Sequence, residues 1–256
     1  MSNRAKRQRI DLLLVERGLA ESRERARALI LAGKVLVGDR PVAKAGETVA
    51  ADAPIRLREP DHPWVSRGGV KLAHALDTLS VPVAGRTALD VGASTGGFSD
   101  VLLKRGARRV YAVDVGYGQL DLKIRADSRV VVLERTNARG LGREHVPEPV
   151  DLCVIDVSFI SLRLILPPVA ALLAPGANVL AMVKPQFEAG KGGAPGGVVR
   201  DETRRRRIVA DIADFAQAHG LSMRGECDSP IRGPKGNLET FLWLSASRAA
   251  GDPCGV

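Results

Sequence analysis

The chain of 256 residues lacks the marks of a disulfide scaffold, a metal centre or a membrane span. Its three cysteines, Cys153, Cys227 and Cys254, are an odd, scattered set with no close pair, which argues against a cysteine-framed fold. Cys153 lies in a strand-like run, where a buried thiol acts as a small hydrophobe. The four histidines, His62, His74, His145 and His219, are equally dispersed, and no metal site is expected. Apolar runs stop far short of the ~20 residues that cross a bilayer; Val150 to Ile155 is already broken by Asp151. The basic start, Met1 to Arg9, passes at once into Asp11 and a mixed helix, unlike a signal peptide, so a cytoplasmic protein is expected.

What is abundant is positive charge. A net charge of +9 and a pI near 9.9 point to a polyanionic partner, and nucleic acid is preferred over an anionic membrane face. With 45% hydrophobic and 26% charged residues, the chain can bury a full core and has room for one large domain plus a small one.

The most informative stretch is Thr87 to Asp100. A short apolar strand, Ala88 to Val91, runs into Gly92, Ala93, Ser94, Thr95, Gly96, Gly97 and Phe98 and then into an amphipathic helix carrying Val101, Leu102 and Leu103. Glycines there let a ligand approach the backbone, and the free N–H groups of a helix start offer donors to a polar ligand tail. The next strand, Arg109 to Val113, ends in Asp114, 22 positions after Gly92. That is the spacing at which a Rossmann-like fold sets an acid on ribose hydroxyls. Because the glycines read G-A-S-T-G-G and not G-x-G-x-x-G, a nucleoside with a small charged tail fits better than a dinucleotide. S-adenosylmethionine answers that description.

In chain order, Ile10 to Gly18 reads as a helix stopped by Gly18, and Ser22 caps a second helix, Arg23 to Ala32, ended by Gly33. Arg23 and Arg27 lie four apart on one face, where phosphates can be met. Short alternating strands follow at Lys34 to Val37 and Ile55 to Arg58. Through His62 there are 13 Lys and Arg against 9 acids. The break Glu59-Pro60-Asp61-His62-Pro63 reads as a linker, and the basic stretch from Trp64 to Leu72 brings Arg67 and Lys71 to the edge of the cofactor domain.

Beyond Asp114, Val130 to Leu133 is a third strand, followed by a polar loop with Asn137 at the place where such folds contact an adenine edge. A fourth strand ends at Asp156. A helix around Leu164 to Leu173 and a Pro175-Gly176 turn lead to a fifth strand, Val179 to Val183, so that Lys184 shares the rim with Asp156. The glycine-rich stretch 188–200 reads as a mobile lid, and Arg204 to Arg207 as a solvated or phosphate-facing cluster opening the next helix. Leu221 to Cys227 and Glu239 to Leu244 close the domain.

Two resemblances follow from these residues. The order helix, Gly-Leu, Ser22-Arg23, helix, Gly-Lys-Val-x-Val, Gly-Asp and Lys44-Ala45-Gly46-Glu47 resembles the small RNA-binding module named after ribosomal small-subunit protein four. It implies structured RNA read through backbone and shape. The RNA contacts expected of the whole chain are Arg7, Arg9, Arg23, Arg27, Lys34 and, beyond this module, Arg67. Ser66 to Leu72 (S-R-G-G-x-K-L), Asp90 to Phe98, Asp156 to Ser161 (D-x-S-F-I-S), Val183 to Glu188 (V-K-P-Q-F-E), Gly196 to Asp201 and Gly236 to Glu239 together resemble the TlyA family of ribosomal RNA 2′-O-methyltransferases. These have an FtsJ-like catalytic domain and were once labelled haemolysins.

The resemblance implies a Rossmann-like class I methyltransferase, a doubly wound and mostly parallel seven-stranded sheet, with a small N-terminal α+β RNA-binding domain. The expected organisation is 1–59 for RNA binding, a 60–65 linker, 66–246 for methyl transfer and a flexible 247–256 tail. It further implies a catalytic tetrad of Lys71, Asp156, Lys184 and Glu239, with Lys184 as base and no metal. An amine with an ordinary pKa near ~10.4 must have its proton affinity lowered to take a ribose proton, which a neighbouring Lys71 would do while the two carboxylates hold the ammonium heads. The cofactor set is Gly92 to Phe98, Asp114, Asn137 and Asp156, and the partner is ribosomal RNA within ribosomal subunits. Two other readings are a non-catalytic RNA-binding assembly factor and a membrane-lytic protein.

Overall fold

A computed structural model of the chain describes residues 7–20, 22–58, 62–190 and 192–247. It divides into two compact units, Met1–Pro63 and Trp64–Val256. Residues 60 and 61 of the expected linker and 248–256 of the expected tail lie outside the described residues.

The first unit contains β1 (Arg7–Arg9), α1 (Ile10–Glu16), α2 (Arg23–Leu31), β2 (Val35–Val37), β3 (Arg40–Pro41), β4 (Thr48–Ala50) and β5 (Ile55–Leu57). Ile10, Leu13 and Leu14 recur at helical spacing and are buried, as are Ala26 and Ile30 one turn apart on α2. Gly18 takes φ +68° just past α1, and the Ser22 hydroxyl accepts from the Arg25 N–H at 3.1 Å to cap α2. Strand β1 pairs antiparallel with β4, and β2 lies between β3 and β5. Val35, Val42 and Val49 complete this small core.

In the second unit the strands β6 (Thr87–Val91), β7 (Arg109–Val113), β8 (Val130–Leu133), β9 (Val150–Ile155), β10 (Leu173–Val183), β11 (Leu221–Asp228) and β12 (Thr240–Ala246) form one sheet in the order β11-β12-β10-β9-β6-β7-β8. From β10 to β8 the neighbours are parallel, and β12 enters antiparallel between β10 and β11. The helices are α3 (Arg67–Thr78), α4 (Gly97–Lys104), α5 (Leu122–Arg125), α6 (Leu166–Ala170), α7 (Pro185–Glu188) and α8 (Glu202–Ala218). Strands covered on both faces have no solvent side, which is why β6 and β9 read as near-continuous apolar runs. Leu89, Cys153, Val179 and Leu242 share one core with Leu166 and Val169 of α6 and with Ile208, Val209 and Ile212 of α8. Ala88, Val154, Leu180 and Phe241 face Leu72 and Leu76 of α3 and Val101 and Leu102 of α4. The chain leaves β6 toward β7 and β8 and then crosses to β9, so the strand order reverses between β6 and β9. In open α/β sheets the ligand crevice opens at that switch point, beyond the carboxyl ends of the strands.

Three local expectations are corrected. The Pro175-Gly176 turn is absorbed into β10, where the register against β9 shifts between Leu173 and Asn178; a bulge accommodates the proline without ending the strand. The helix expected around Leu164 to Leu173 is a 3-10 turn, Leu162–Leu164, followed by the short α6. Arg205, placed among solvated or phosphate-facing arginines, is buried. Its guanidinium lies 2.7 Å from Glu202 and 2.8 Å from Asp228 and donates to the Thr240 hydroxyl at 2.5 Å, tying α8 to β11 and β12.

Candidate active site

The crevice begins with a close approach between backbones. Gly92, at the end of β6, has φ +89°, and a Cβ there would stand 2.6 Å from the Asp156 carbonyl oxygen, so only glycine lets the ends of β6 and β9 come this near. The Gly92 and Ala93 N–H groups both donate to the Val113 carbonyl, at 2.9 and 3.0 Å, and bind the turn to β7. Gly96, also at φ +89°, starts α4.

Two cavities flank this turn. The larger, about 800 Å³, is lined by Gly92, Ser94, Asp114, Asn137, Asp156 and Phe159 among others. The smaller, about 250 Å³, is lined by Arg67, Lys71, Ala93, Thr95, Gly97, Phe98 and Arg232 among others. Gly92, Ser94 and Asp156 line both, so the cavities meet at the β6–β9 junction. The Asp114 carboxylate accepts from the Ser94 N–H at 2.8 Å and from the Gly116 N–H at 2.7 Å, which fixes it at the rim of the larger cavity. The Asn137 side-chain oxygen accepts from the Arg139 N–H at 3.1 Å, setting the loop after β8. Phe98 packs on Phe241 with ring centroids 6.0 Å apart. Phe159 is almost fully exposed at φ +64°, its ring 5.1 Å from that of Phe187.

The tetrad residues form two ion pairs from four elements. Lys71 of α3 reaches Glu239, just before β12, with Nζ 2.5 Å from Oε2. Both are buried, Glu239 to 1% exposure, although Lys71 lies in a basic stretch whose composition suits a solvated surface. Lys184, after β10, lies 2.6 Å from Asp156, after β9, and donates to the Ser158 hydroxyl at 2.9 Å. Removing such charges from water carries a desolvation cost that only pairing offsets, so each carboxylate fixes one amine in place. A Cβ at Gly233 would meet Glu239 Oε1 at 2.6 Å, so the loop before β12 is closed tightly over this carboxylate.

Beneath the turn, Asp90 is fully buried and accepts from the Ser99 hydroxyl at 2.7 Å. Burial, reinforced by the negative charges of Asp156 and Asp114, pushes its carboxyl up to about 7 against the opposing Ser99 hydrogen bond.

Of the residues expected to meet RNA, Arg7 donates to the Thr48 carbonyl, while Arg9, Arg23 and Arg27 converge on Asp11. Lys34 is exposed, and so is Arg67 at the first position of α3. Neither Arg232 nor Asp11 stands out as a functional residue in the sequence. For Arg232 the only signal was the turn-rich run Ser229 to Asn237, and for Asp11 it was a charged residue among the apolar positions of α1. Among the described residues no helix is long and apolar enough to cross a membrane, and no group of His, Cys, Asp and Glu is disposed to hold a metal ion.

Sheet order, switch-point crevice and glycine turn define a class I methyltransferase fold. A solved Listeria monocytogenes structure, described as an S-adenosylmethionine-dependent methyltransferase, shares that fold with a TM-score of 0.54 at 14% identity, over 72% of this chain and 100% of that one. Residues 64–246 match the FtsJ-like methyltransferase family, and residues 8–55 match the S4 domain. The chain is 50% identical over 242 residues to the 16S/23S rRNA (cytidine-2′-O)-methyltransferase TlyA of Mycobacterium tuberculosis, covering 94% of this chain and 90% of that protein. It is 37% identical to Hemolysin A of Brachyspira hyodysenteriae, over 90% and 97% of the two chains. A solved Streptococcus thermophilus protein described as a hemolysin matches with a TM-score of 0.74 and 39% identity, over 95% and 90%. The chain belongs to the TlyA family of FtsJ-like methyltransferases, with an S4 domain ahead of the catalytic one.

Proposed function

We propose that this protein methylates the 2′-hydroxyl of a ribose, by likeness to its relatives a cytidine, in ribosomal RNA within ribosomal subunits, using S-adenosylmethionine in the cytoplasm. The observation that carries the reading is the pair of lysine–carboxylate contacts at the cavity walls: Asp156, which holds Lys184, lines both cavities, and Lys71, held by Glu239, lines the smaller one. The larger cavity, about 800 Å³, is of a size with small-molecule sites. The turn Gly92 to Phe98, Asp114 and Asn137 would hold the cofactor. Carboxylate oxygens accept more than one hydrogen bond each, so Asp114 can serve ribose hydroxyls as well as its two N–H donors. When bound, S-adenosylmethionine supplies a methyl group already activated by a positive sulfur.

The smaller cavity receives the target nucleotide, with Arg67 and Arg232 at its wall for phosphate. A ribose hydroxyl is a weak nucleophile. Lys184, as the neutral amine, would take that proton as the oxygen gains the methyl group and the donor's sulfur–carbon bond breaks to leave a neutral thioether, with Asp156 and Ser158 holding the amine in line. Lys71, fixed by Glu239, sets a positive charge beside the oxygen as negative charge develops on it.

Lys184→Ala tests the assignment with radiolabelled cofactor and unmodified ribosomal subunits. Methyl transfer should fall by roughly 10²-fold or more while calorimetric binding of S-adenosylmethionine persists. Turnover within a few-fold of wild type overturns the role of Lys184. Absence of transfer by the wild-type protein would instead favour a non-catalytic assembly factor.

A further inference from the structure

The S4 unit carries a cluster that the methyl-transfer reaction does not use. Asp11, the second residue of α1, is completely buried, yet it is the common partner of three arginines. Arg9 grips it with two hydrogen bonds, Nε to Oδ1 at 3.0 Å and Nη2 to Oδ2 at 2.9 Å. Arg23 Nε donates to Oδ2 at 2.9 Å, and Arg27 Nε lies 3.7 Å from the same oxygen. Arg9 and then Arg23 hold the Asp11 carboxyl far below the usual carboxylate range, so it stays ionised.

One carboxylate needs one cation to balance it, and here it gathers three. The surplus positive charge is not hidden: the three arginine side chains keep 41%, 46% and 51% of their surface exposed. A guanidinium has five N–H donors in a rigid fork, so Arg23 and Arg27 each retain an outward edge after meeting Asp11. They sit one turn apart on α2 and share an anchor with Arg9 at the end of β1, so cations from two elements are drawn to one point. Free arginine side chains lose rotamer freedom when they clamp an anion, and side chains held beforehand lose less.

We propose that Asp11 is a positioning residue that presents Arg9, Arg23 and Arg27 as a preformed receptor for the phosphates of RNA, an inference that rests on the ribosomal RNA reading above. It separates from simple charge attraction by sign. Replacing the carboxylate with an amide adds one positive charge to the unit, which tightens RNA binding if long-range attraction is all that matters. A receptor that depends on Asp11 for its geometry binds more weakly after the same change.

The test uses the full chain, unmodified ribosomal subunits and methyl-transfer kinetics for wild type, Asp11→Asn, Arg23→Lys and the double variant, with far-UV circular dichroism to follow folding. Asp11→Asn should raise KM for the subunits about tenfold with kcat within twofold. Arg23→Lys, which keeps the charge and loses the fork, should raise KM alone but add little in the Asp11→Asn background, because both act through one arrangement. A KM for Asp11→Asn equal to or below wild type, or strictly additive effects, overturns the proposal. Should Asp11→Asn unfold the unit, Arg23→Lys decides alone, an unchanged KM overturning it and a raised one upholding it. Wild-type protein that fails to methylate the subunits would sink the functional reading itself, a result distinct from either.

Discussion

Glu239→Gln probes the cost of the buried pair and its use separately. Lys71 Nζ and Glu239 Oε2 are 2.5 Å apart, and their side chains are 11% and 1% exposed. An amide of the same shape leaves the lysine ammonium with a neutral acceptor in a site that excludes most water. Breaking a buried pair from one side costs about 3–5 kcal/mol, and because glutamine keeps one oxygen near Lys71 the lower end is expected, about 3 kcal/mol. For a unit of this size that corresponds to a loss of roughly 6–12 °C in melting temperature. Adding Lys71→Met removes the stranded charge, and the double variant should recover to within about 1 kcal/mol of wild type, since an apolar pair of similar volume is often neutral. Methyl transfer should fall in the single variant, where Lys71 keeps its charge but loses the carboxylate that fixes it, and should stay low in the double variant, which has no positive charge beside the reacting oxygen. Urea denaturation followed by tryptophan fluorescence, alongside the transfer assay, reads both quantities. A single variant within 1 kcal/mol of wild type, or a double variant no more stable than the single, would refute the reasoning that this contact is a desolvated ion pair.

Gly92→Ala should lower stability by about 3 kcal/mol, combining a strained positive φ with a Cβ 2.6 Å from the Asp156 carbonyl; a urea midpoint indistinguishable from wild type contradicts the close approach. Asp90 carries a pH signature. Its folded pKa, about 7, lies above the ordinary carboxylate value, so its contribution to stability is full below about pH 4 and is lost as pH rises through 7. Relative to Asp90→Asn, wild type should therefore lose ground between pH 5.5 and 8.5 in paired urea titrations, and parallel profiles would count against a protonated Asp90.

The sheet was legible because its strands are buried on both faces. Thr87 to Val91, Arg109 to Val113 and Val150 to Ile155 announce themselves by apolar composition, and Gly92 after Val91 marks a place where two strand ends nearly touch. Local signals misled where tertiary contacts overrode them. Pro175-Gly176 has the composition of a turn, yet pairing with β9 on either side of a bulge carries the strand through. Arg204 to Arg207 reads as a uniform basic run, but Asp228 and Thr240, from strands formed later in the chain, draw Arg205 inward and leave Arg206 at the surface. The lysines and carboxylates were named by motif resemblance. Which amine meets which carboxylate depends on where the last strands enter the sheet, a long-range matter that no spacing along the chain encodes.

Strand β12 slots between β10 and β11 although it follows both, and Glu239 stands at its leading end. The five parallel strands from β10 to β8 all precede β12 in the chain, so the neighbour of β10 on that side and the counter-charge of Lys71 both come late in synthesis. The Lys71–Glu239 contact therefore depends on a late part of the chain, and a chain that stops before residue 239 lacks the carboxylate that balances this lysine.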